Sequence, residues 1–359
     1  MPHKSCKKHK EVCRLKTELI QINDLAAQST DIRRTAEILR RGGLAVFPTE
    51  TVYGLGGNGC DAEAAKKIYA AKGRPSDNPL IIHLASPEEA AKYAVTCPLY
   101  ERLAKAFMPG PLTVILPKRD CIPYSVTGGL DSVAIRVPAH PVAHALCEAA
   151  GIPIAAPSAN LSGKPSPTSA AHVIADLDGR VDVILDGGES EIGLESTIVK
   201  IEGDTLTLLR PGAITCDALS MVCADVRVAD AVTKQLAEGE RPLSPGMKYR
   251  HYAPTAPLVL LAGDDARVLE FLQREQHAKH CAILCYDEER SALIPRNLIA
   301  VGSKDDLGTQ AKRLFSALRE ADALDVEIIY AHLPGTDGLG LALYNRMIRA
   351  AAHTVRHID

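Results

Sequence analysis

The sequence predicts an α/β protein of two domains, the second of which is built on a small parallel sheet. The chain has 359 residues, a length for which two domains are the default expectation. Between residues 44 and 84, an apolar run, a glycine-rich segment, a short helical pattern and a second apolar run follow one another. From Ala256 onwards, apolar runs of strand length alternate with helical patterns, which is typical of parallel-sheet domains.

The composition is that of a globular protein without a general affinity for nucleic acid. Hydrophobic residues make up 46% of the chain and charged residues 24%, while the net charge is −3. Aromatic residues reach only 4% and Trp is absent, which disfavours a stacking platform for single-stranded bases. The ten cysteines are scattered, and we find no secretory signal or membrane-spanning run. We therefore expect a cytoplasmic protein with reduced thiols and no membrane contact.

Residues 1–16 are predicted to form a flexible basic tail. Cys6, His9 and Cys13 carry metal-ligating side chains, but their spacing matches no standard zinc module, so a metal site is the less favoured interpretation. A helix is expected over residues 30–41, with Asp31 as its cap.

The segment 49–84 places polar groups around a short helix. Thr49 and Thr51 would share one face of an extended backbone, and the glycines between residues 54 and 59 permit tight turns or close approach to a ligand. Asp61 is a suitable N-cap for a helix that ends near Gly73. Because ligands of α/β folds bind at the ends of strands, this unit is a candidate site.

The exit of that helix adds cations and an imidazole. Lys72 and Arg74 flank the glycine, Asn78 lies between two prolines, and His83 is the polar residue of the next apolar run. Each feature also has a structural explanation, since cations complement a helix dipole and a lone His in a strand is often a core residue. Their clustering in one unit favours the functional interpretation.

Residues 54–59 also fit the dinucleotide fingerprint G-x-G-x-x-G. That fingerprint requires its first glycine directly after a buried strand, whereas Pro48 and the following Thr-Glu-Thr intervene here. A nicotinamide site is therefore disfavoured.

Two further strands are expected to bring polar groups to the same region. Arg136 shares one side of the apolar strand 132–138 with Ser132, so it must be paired or face a site. The strand 152–156 ends in a loop with Ser158, Lys164 and Ser166, which suits anion binding although it is not a Walker A loop.

A hairpin and a linker complete the first domain. Pairing of residues 195–199 with 205–209 would place Ser196 within a few ångström of Arg210. Residues 213–255 are interpreted as a helix and a linker, and the aromatic and cationic residues of the linker suggest a flap. In the second domain we expect strands at 258–261, 282–286, 298–301 and 328–330, the last being the final strand, and no chemical cluster.

The motifs PTETVYGLG, KGRPSDNPL and IIHL, in this order, resemble the signature of the YrdC-like domain of threonylcarbamoyl-AMP synthases. Residues 17–240 resemble that catalytic domain, 241–255 the linker or flap of two-domain members, and 256–359, with GLGLALYNRM, their C-terminal domain. The resemblance implies a twisted mixed sheet with flanking helices, followed by a Rossmann-like parallel α/β domain.

The resemblance also implies a nucleotidyltransferase activity. The family makes L-threonylcarbamoyl-adenylate and pyrophosphate from L-threonine, bicarbonate and ATP, with Mg²⁺ accompanying ATP. The product serves the N6-threonylcarbamoyladenosine modification of tRNA and passes to a downstream tRNA threonylcarbamoyl transferase complex, and weak tRNA binding is also expected. Two alternatives stay open: an RNA-binding module with a cationic concave surface, and a related carbamoyl-adenylate enzyme with another acceptor.

By the same resemblance, site residues fall into three groups. Lys72 and Arg74 are the expected catalytic cations, with no covalent nucleophile and no identified general base. The threonine pocket is expected to contain Thr51, His83, Arg136, Ala156 and Ser196. ATP is expected to contact Arg74, Asn78, Ser132, Ser158, Ser166, Arg210 and the linker residue Tyr249, with His251 as a further flap residue.

Overall fold

The computed structural model describes residues 15–234, 252–278 and 280–359. The tail residues Cys6, His9 and Cys13 lie outside the described residues, and so do the predicted flap residues Tyr249 and His251.

The first part of the chain forms a large mixed sheet flanked by helices, as expected. Its described strands are β1 (Glu18–Gln21), β2 (Ala45–Phe47), β3 (Gly54–Asn58), β4 (Ile81–His83), β5 (Leu112–Pro117), β6 (Ser132–Arg136), β7 (Ile154–Ala156), β8 (Val183–Asp186), β9 (Thr197–Glu202), β10 (Thr205–Arg210) and β11 (Asp225–Val228). Their order in the sheet is β1-β8-β2-β3-β7-β4-β6-β5-β9-β10-β11. The helices are α1 (Ser29–Arg40), α2 (Ala62–Lys72), α3 (Ala90–Tyr93), α4 (Pro98–Phe107), α5 (Tyr124–Thr127), α6 (Pro141–Ala150), α7 (Ala170–Leu177) and α8 (Cys216–Ser220).

Helices cover both faces of this sheet. On one face, Leu39 of α1 and Leu146 of α6 pack against Phe47 of β2. On the other face, α2, α4 and α7 contribute apolar side chains such as Ile68 and Leu103 to a second core. Burial on both faces leaves the loops and strand ends as the places where polar side chains can gather.

The glycine run is a strand and not a series of turns, which corrects the sequence interpretation. A Cβ atom on Gly56 would lie 2.7 Å from Cγ2 of Ile154 and 2.8 Å from Cε1 of Phe47. The absence of a side chain at Gly56 therefore lets neighbouring core side chains pack over the backbone of β3. The close approach is to protein and not to a dinucleotide.

The helix caps match the sequence patterns in part. Asp61 is the N-cap of α2, with its Oδ1 accepting from the backbone of Glu63, and Gly73 ends that helix at φ 62°. By contrast, α1 begins at Ser29 after Gln28, so Asp31 is a first-turn residue rather than the cap. The hairpin of β9 and β10 forms with the expected antiparallel pairing.

The second part of the chain is a five-stranded sheet within the described residues, with parallel pairing throughout, as predicted. It contains β12 (Leu258–Gly263), β13 (Cys281–Cys285), β14 (Leu298–Ala300), β15 (Ile328–His332) and β16 (Val355–Ile358), with α9 (Asp265–Ala278), α10 (Leu307–Asp322) and α11 (Gly340–Ala350). The order is β14-β13-β15-β12-β16. The edge strand β16 was missed because its residues are largely exposed, and β15 is therefore not the final strand.

The face of this smaller sheet that carries α10 and α11 packs against the first domain. Val52 and Leu194 join the same apolar cluster as Phe315 of α10 and Met347 of α11. Helix α9 covers the opposite face. In the described part of the chain, we find no helix long and apolar enough to cross a membrane.

Candidate functional site

A cleft opens where α2, β4, β6, the loop after β7 and the segment before β9 meet. Most of the predicted site residues line it: Thr51, Lys72, Arg74, His83, Arg136, Ala156, Ser158, Ser166, Ser196 and Arg210. Residues separated by up to half the chain are thus brought together at one place, which supports the functional interpretation of their clustering.

Two predicted residues lie outside the lining. Asn78 is buried, and its backbone oxygen accepts from Nη2 of Arg74 at 3.3 Å and from Oη of Tyr69 at 3.0 Å. Ser132 stands half-buried at the start of β6, opposite Pro117 of β5. In this arrangement Asn78 orders the loop that carries Arg74, whereas Ser132 is not among the residues that line the cleft.

One end of the cleft is organised by a row of residues in register across three strands. His83 of β4 pairs with Arg136 of β6, which in turn pairs with Thr113 of β5. Directly paired residues project from the same face of a sheet, so these side chains are neighbours. The row continues to Ser196, whose Oγ lies 2.7 Å from Oγ1 of Thr113.

Arg136 is both paired and at the site. Its Nη2 lies 2.8 Å from Oε1 of Glu50, and both side chains are buried. Burial alone would raise the pKa of the Glu50 carboxyl, but the guanidinium of Arg136 holds that pKa below its usual value. The fixed positive charge at this end of the cleft is therefore balanced by an ionised carboxylate behind it.

His83 is neutral at physiological pH. It is buried, its Nδ1 lies 3.2 Å from the carbonyl oxygen of Ile81, and its ring meets the edge of Phe47 at 5.9 Å. Burial, with the neighbouring charge of Arg136, lowers the pKa of His83 to about 3. The residue therefore offers hydrogen bonding and shape to the cleft and not a positive charge.

Lys72 ties the end of α2 to the loop after β7. Its Nζ donates to the carbonyl oxygens of Ser158 at 2.5 Å and Asn160 at 2.6 Å, and lies 3.3 Å from Oδ1 of Asn160. Burial, and then the charge of Arg74, hold the pKa of Lys72 well below its usual value. In this structure the ammonium group orders the loop that presents Ser158.

The opposite wall is built around Glu195. Its Oε1 accepts a hydrogen bond from Oγ of Ser166 at 2.6 Å. The next residue, Ser196, accepts from Arg210 through its backbone oxygen at 3.0 Å and its Oγ at 3.1 Å. The predicted proximity of Ser196 and Arg210 is confirmed by these contacts.

The charges on this wall are fixed by burial and by each other. Burial opposes ionisation of Glu195, but Arg346 and Arg210 lower the pKa of Glu195 to about 2. Burial lowers the pKa of Arg210 to about 10, so it still carries its charge at neutral pH. The wall thus contains an ionised carboxylate that is hydrogen-bonded to Arg346 and stabilised by the charge of Arg210.

Thr49 and Thr51 lie side by side, although not for the reason that the sequence suggested. Their hydroxyl oxygens are 2.8 Å apart, and Oγ1 of Thr49 accepts from the backbone N–H groups of Thr51 and Val52. Hydroxyl-to-backbone bonds of this kind belong to a turn and not to a strand. The bend brings Thr51, Val52 and Tyr53 into the cleft lining.

Sequence reasoning assigned no individual role to Glu50, Thr113, Asn160 and Glu195, and it included Tyr252 only among the aromatic residues of the predicted flap. Thr113 carried the signal that identified His83, a polar residue inside an apolar run. Glu195 and Glu50 lay beside predicted residues, but their importance depends on partners far away in the chain. Tyr252 is buried, lines the cleft and stacks on Phe315 of the second domain at 5.1 Å.

The cleft is suited to anionic ligands. Arg74, Arg136 and Arg210 line it, whereas the lining carboxylate, Glu195, already accepts from Ser166 and Arg346. Guanidinium groups near hydroxyls and backbone N–H groups recognise carboxylates and phosphates. Among residues 15–234, 252–278 and 280–359, no three His, Cys, Asp or Glu side chains are grouped to hold a metal ion.

Two protein-family models match the chain. The Sua5/yciO/yrdC model, described as telomere recombination, matches residues 37–212. The model described as threonylcarbamoyl-AMP synthase, C-terminal domain, matches residues 214–352.

Curated relatives and solved structures agree with these matches over nearly the whole chain. The threonylcarbamoyl-AMP synthase of Bacillus subtilis is 44% identical and is aligned over 93% of this chain and 96% of its own length. That of Pyrococcus abyssi is also 44% identical, over 90% of this chain and 95% of its own length. A structure of P. abyssi Sua5 complexed with L-threonine has a TM-score of 0.85 at 40% identity, covering 96% of this chain and 99% of that one. The chain therefore belongs to the family of two-domain threonylcarbamoyl-AMP synthases.

Proposed function

We propose that this protein is an L-threonylcarbamoyladenylate synthase, a nucleotidyltransferase that forms threonylcarbamoyl-AMP and pyrophosphate from L-threonine, bicarbonate and ATP. The observation that carries the proposal is the cleft itself. It combines three guanidinium groups with a set of hydroxyls, on a fold that superposes on an L-threonine complex with a TM-score of 0.85.

The threonine end of the cleft is assigned to the row that includes His83, Arg136 and Ser196. Arg136 would bind the carboxylate of the substrate, since Glu50 holds its guanidinium in place. Thr51 and Ser196 offer hydroxyls to the polar groups of threonine, and Ala156 leaves room for its short side chain.

The nucleotide end is assigned to the opposite walls. Arg74 and Arg210 would contact the phosphates, together with the hydroxyls of Ser158 and Ser166. Contacts of ATP with Asn78, Ser132 and Tyr249, and closure by His251, stay predictions. Lys72 would act there by holding the loop of Ser158, in addition to its predicted place beside the phosphates.

The chemistry divides into two steps that these groups can support. The amine of threonine adds to CO₂, derived from bicarbonate, and loses a proton to give a carbamate. A carbamate oxygen then attacks the α-phosphorus of ATP, and the bond to pyrophosphate breaks. Positioning of the substrates and stabilisation of charge on the phosphates provide the rate enhancement, as in other phosphoryl-type transfers. Mg²⁺ would enter as the companion of ATP, held by phosphate oxygens.

The biological setting is part of the same proposal. Delivery of the product to a tRNA threonylcarbamoyl transferase complex, weak tRNA binding and a cytoplasmic location follow from the activity rather than from any contact in the fold.

The proposal predicts that Arg74→Ala abolishes product formation while the fold is retained. Arg74 is half-buried at a loop, where its Nη2 donates to the backbone oxygens of Asn78 and Pro79, so its loss leaves no hole in the core. Product is measured by mass spectrometry with ¹³C-bicarbonate, which labels the carbamoyl carbon. Replacement of the exposed Arg33 by Ala serves as the control. Formation of labelled product by Arg74→Ala would overturn the assignment of Arg74 to the phosphates.

A further inference from the structure

An arginine of the second domain reaches into the wall of the cleft. Arg346 of α11 is completely buried, with an exposed fraction of 0%. Its Nε donates to Oε2 of Glu195 at 3.0 Å, and its Nη2 donates to the backbone oxygen of the same residue at 3.3 Å. Its Nη1 donates to the backbone oxygen of Pro211 at 2.7 Å and to Oδ1 of Asn345 at 3.1 Å.

The acceptors on Glu195 and Pro211 belong to two segments of the first domain that carry predicted site residues. Glu195 precedes Ser196, and Pro211 follows Arg210. The remaining oxygen of Glu195 accepts from Ser166, which lines the cleft on another loop. A single guanidinium from the second domain therefore holds three separate parts of the cleft wall together.

A second arginine of the same domain holds the same loop from its other side. Arg319 of α10 donates through Nη2 to the backbone oxygen of Pro165 at 2.5 Å and to Oδ2 of Asp176 at 2.7 Å. Asp176 also accepts from Nζ of Lys164 at 3.1 Å. The loop of Ser166 is thus fixed at Lys164 and Pro165 as well.

We propose that Arg346 is a positioning residue of the first domain's cleft, through which the second domain sets the geometry of Glu195, Ser196, Ser166 and Arg210. The inference deepens the proposed function and rests on it for the activity measurements. Arg346 itself touches none of the cleft space; it acts through Glu195, whose carboxylate would otherwise be free to draw Ser166 or Arg210 out of place.

A purely structural role predicts a different result. If Arg346 only joined two domains, its removal would lower stability and leave the kinetics of the folded enzyme unchanged. If it positions the cleft wall, the folded variant loses activity, since displacement of catalytic groups by about 1 Å costs about 100-fold in rate.

The test compares Arg346→Gln with Arg349→Gln in the full chain. Arg349 lies on the same helix and also donates across the domain boundary, to the backbone oxygen of Ala231 at 2.7 Å, and none of its hydrogen bonds within the described residues goes to Glu195. Circular dichroism and thermal unfolding establish that each variant is folded at the assay temperature. The kcat and KM for ATP and L-threonine are then measured, together with calorimetric binding of L-threonine and of ATP.

We expect folded Arg346→Gln to lose about 100-fold in kcat/KM, while Arg349→Gln retains the wild-type value. Glu195→Gln should show a similar loss, and the double variant should be no worse than either single variant, because both substitutions break the same link. A folded Arg346→Gln whose kcat/KM and substrate binding match those of Arg349→Gln would overturn the inference.

Two further arms keep the result decisive. If Arg346→Gln does not fold, Arg346→Lys replaces it: this variant keeps the charge beside Glu195 but loses the contact with Pro211, and it must show an intermediate loss for the inference to stand. The binding measurements separate the two proposals. If the wild-type protein makes no product, the proposed function is contradicted. If Arg346→Gln nevertheless binds L-threonine or ATP less tightly than the wild type does, the positioning role is supported.

Discussion

The buried pair of Arg136 and Glu50 shows how a single side chain can carry charge into the cleft. An isolated guanidinium on the apolar strand β6 would be strongly unfavourable, and Glu50 compensates it at 2.8 Å. The carboxylate also fixes the direction in which the guanidinium points. Stability and ligand geometry are therefore linked at this residue.

Replacement of Glu50 by Gln is expected to destabilise the fold by about 3–5 kcal/mol, because it leaves the buried charge of Arg136 without its partner. Urea unfolding measures this change. The control is Glu63→Gln, which breaks the exposed pair with Lys66 on α2 and should leave the unfolding midpoint unchanged. Equal midpoints for the two variants would contradict the assignment of a compensating role to Glu50.

The low pKa of His83 predicts a specific loss of stability in acid. The pKa is about 3 in the folded protein and about 6.5 in an unfolded chain. Between these values the unfolded state binds more protons, so stability falls with decreasing pH, by at most about 1.4 kcal/mol per pH unit from this residue. Glu50 and Glu195 contribute in the same direction, and the wild type must therefore be compared with His83→Gln.

In that comparison the free energy of unfolding is measured from pH 7 to pH 4. The His83→Gln variant should lose less stability than the wild type over this range. Parallel curves would show that His83 is protonated as readily in the folded as in the unfolded protein.

Much of the site could be predicted at the residue scale, for an identifiable reason. His83 and Arg136 are polar residues inside apolar runs, and such residues must be paired or functional. Glu50, Glu195 and Arg346 carry no such local signal, since a charged residue in a loop or on a helix surface is ordinary. Their importance comes from burial that only the tertiary structure creates.

At the scale of elements, the glycine-rich strand β3 determines how closely the core can pack beneath the cleft. A Cβ atom added to Gly54 would lie 3.2 Å from Cζ of Phe47, and one added to Gly56 would meet both Phe47 and Ile154. The face of β3 that carries Gly54 and Gly56 therefore has to lack side chains, whereas Leu55 packs into the core on the other face. Alternation could not reveal it as a strand, because glycine gives no hydrophobic period.

Gly56→Ala is expected to destabilise the protein by about 1–3 kcal/mol, since the added methyl group overpacks the core against Ile154 and Phe47. Chemical denaturation measures the effect. Gly335→Ala is the matched control because its added Cβ would meet no atom within 4 Å. A Gly56→Ala variant as stable as Gly335→Ala would mean that β3 does not need its glycine at this position.

The regular elements were the best predicted feature of the fold. Helix α2 begins after its predicted N-cap Asp61 and ends at Gly73, as expected, and the parallel units of the second domain were also correct. Strands β1, β11 and β16 were missed because they are short and partly exposed, so their formation depends on pairing with a neighbour rather than on their own pattern.

At the scale of the whole molecule, the two domains share one buried interface. Val52 and Leu194 of the first domain are part of the apolar cluster of the second, and Arg346 and Arg319 cross the boundary with charged partners. An interface that combines apolar packing with buried ion pairs favours joint unfolding of the domains. Nothing in the sequence pairs these residues, which is why the interface escaped prediction.

Joint unfolding predicts that buried thiols of the two domains become reactive together. Cys147 lies in the core of the first domain and Cys285 in that of the second. Pulsed alkylation at increasing urea, read by mass spectrometry, should give the same midpoint for both residues. Labelling of Cys285 at clearly lower urea would show that the second domain opens independently.

The central claim is that this cleft joins threonine, bicarbonate and the adenylyl group of ATP. It is tested most directly by pyrophosphate release from ATP, with L-threonine and bicarbonate each omitted in turn and with serine and valine in place of threonine. The account predicts release only when threonine and bicarbonate are both present. Release without threonine would point to a carbamoyl-adenylate enzyme with another acceptor, and no release together with tight, salt-dependent RNA binding would contradict the account in favour of an RNA-binding module.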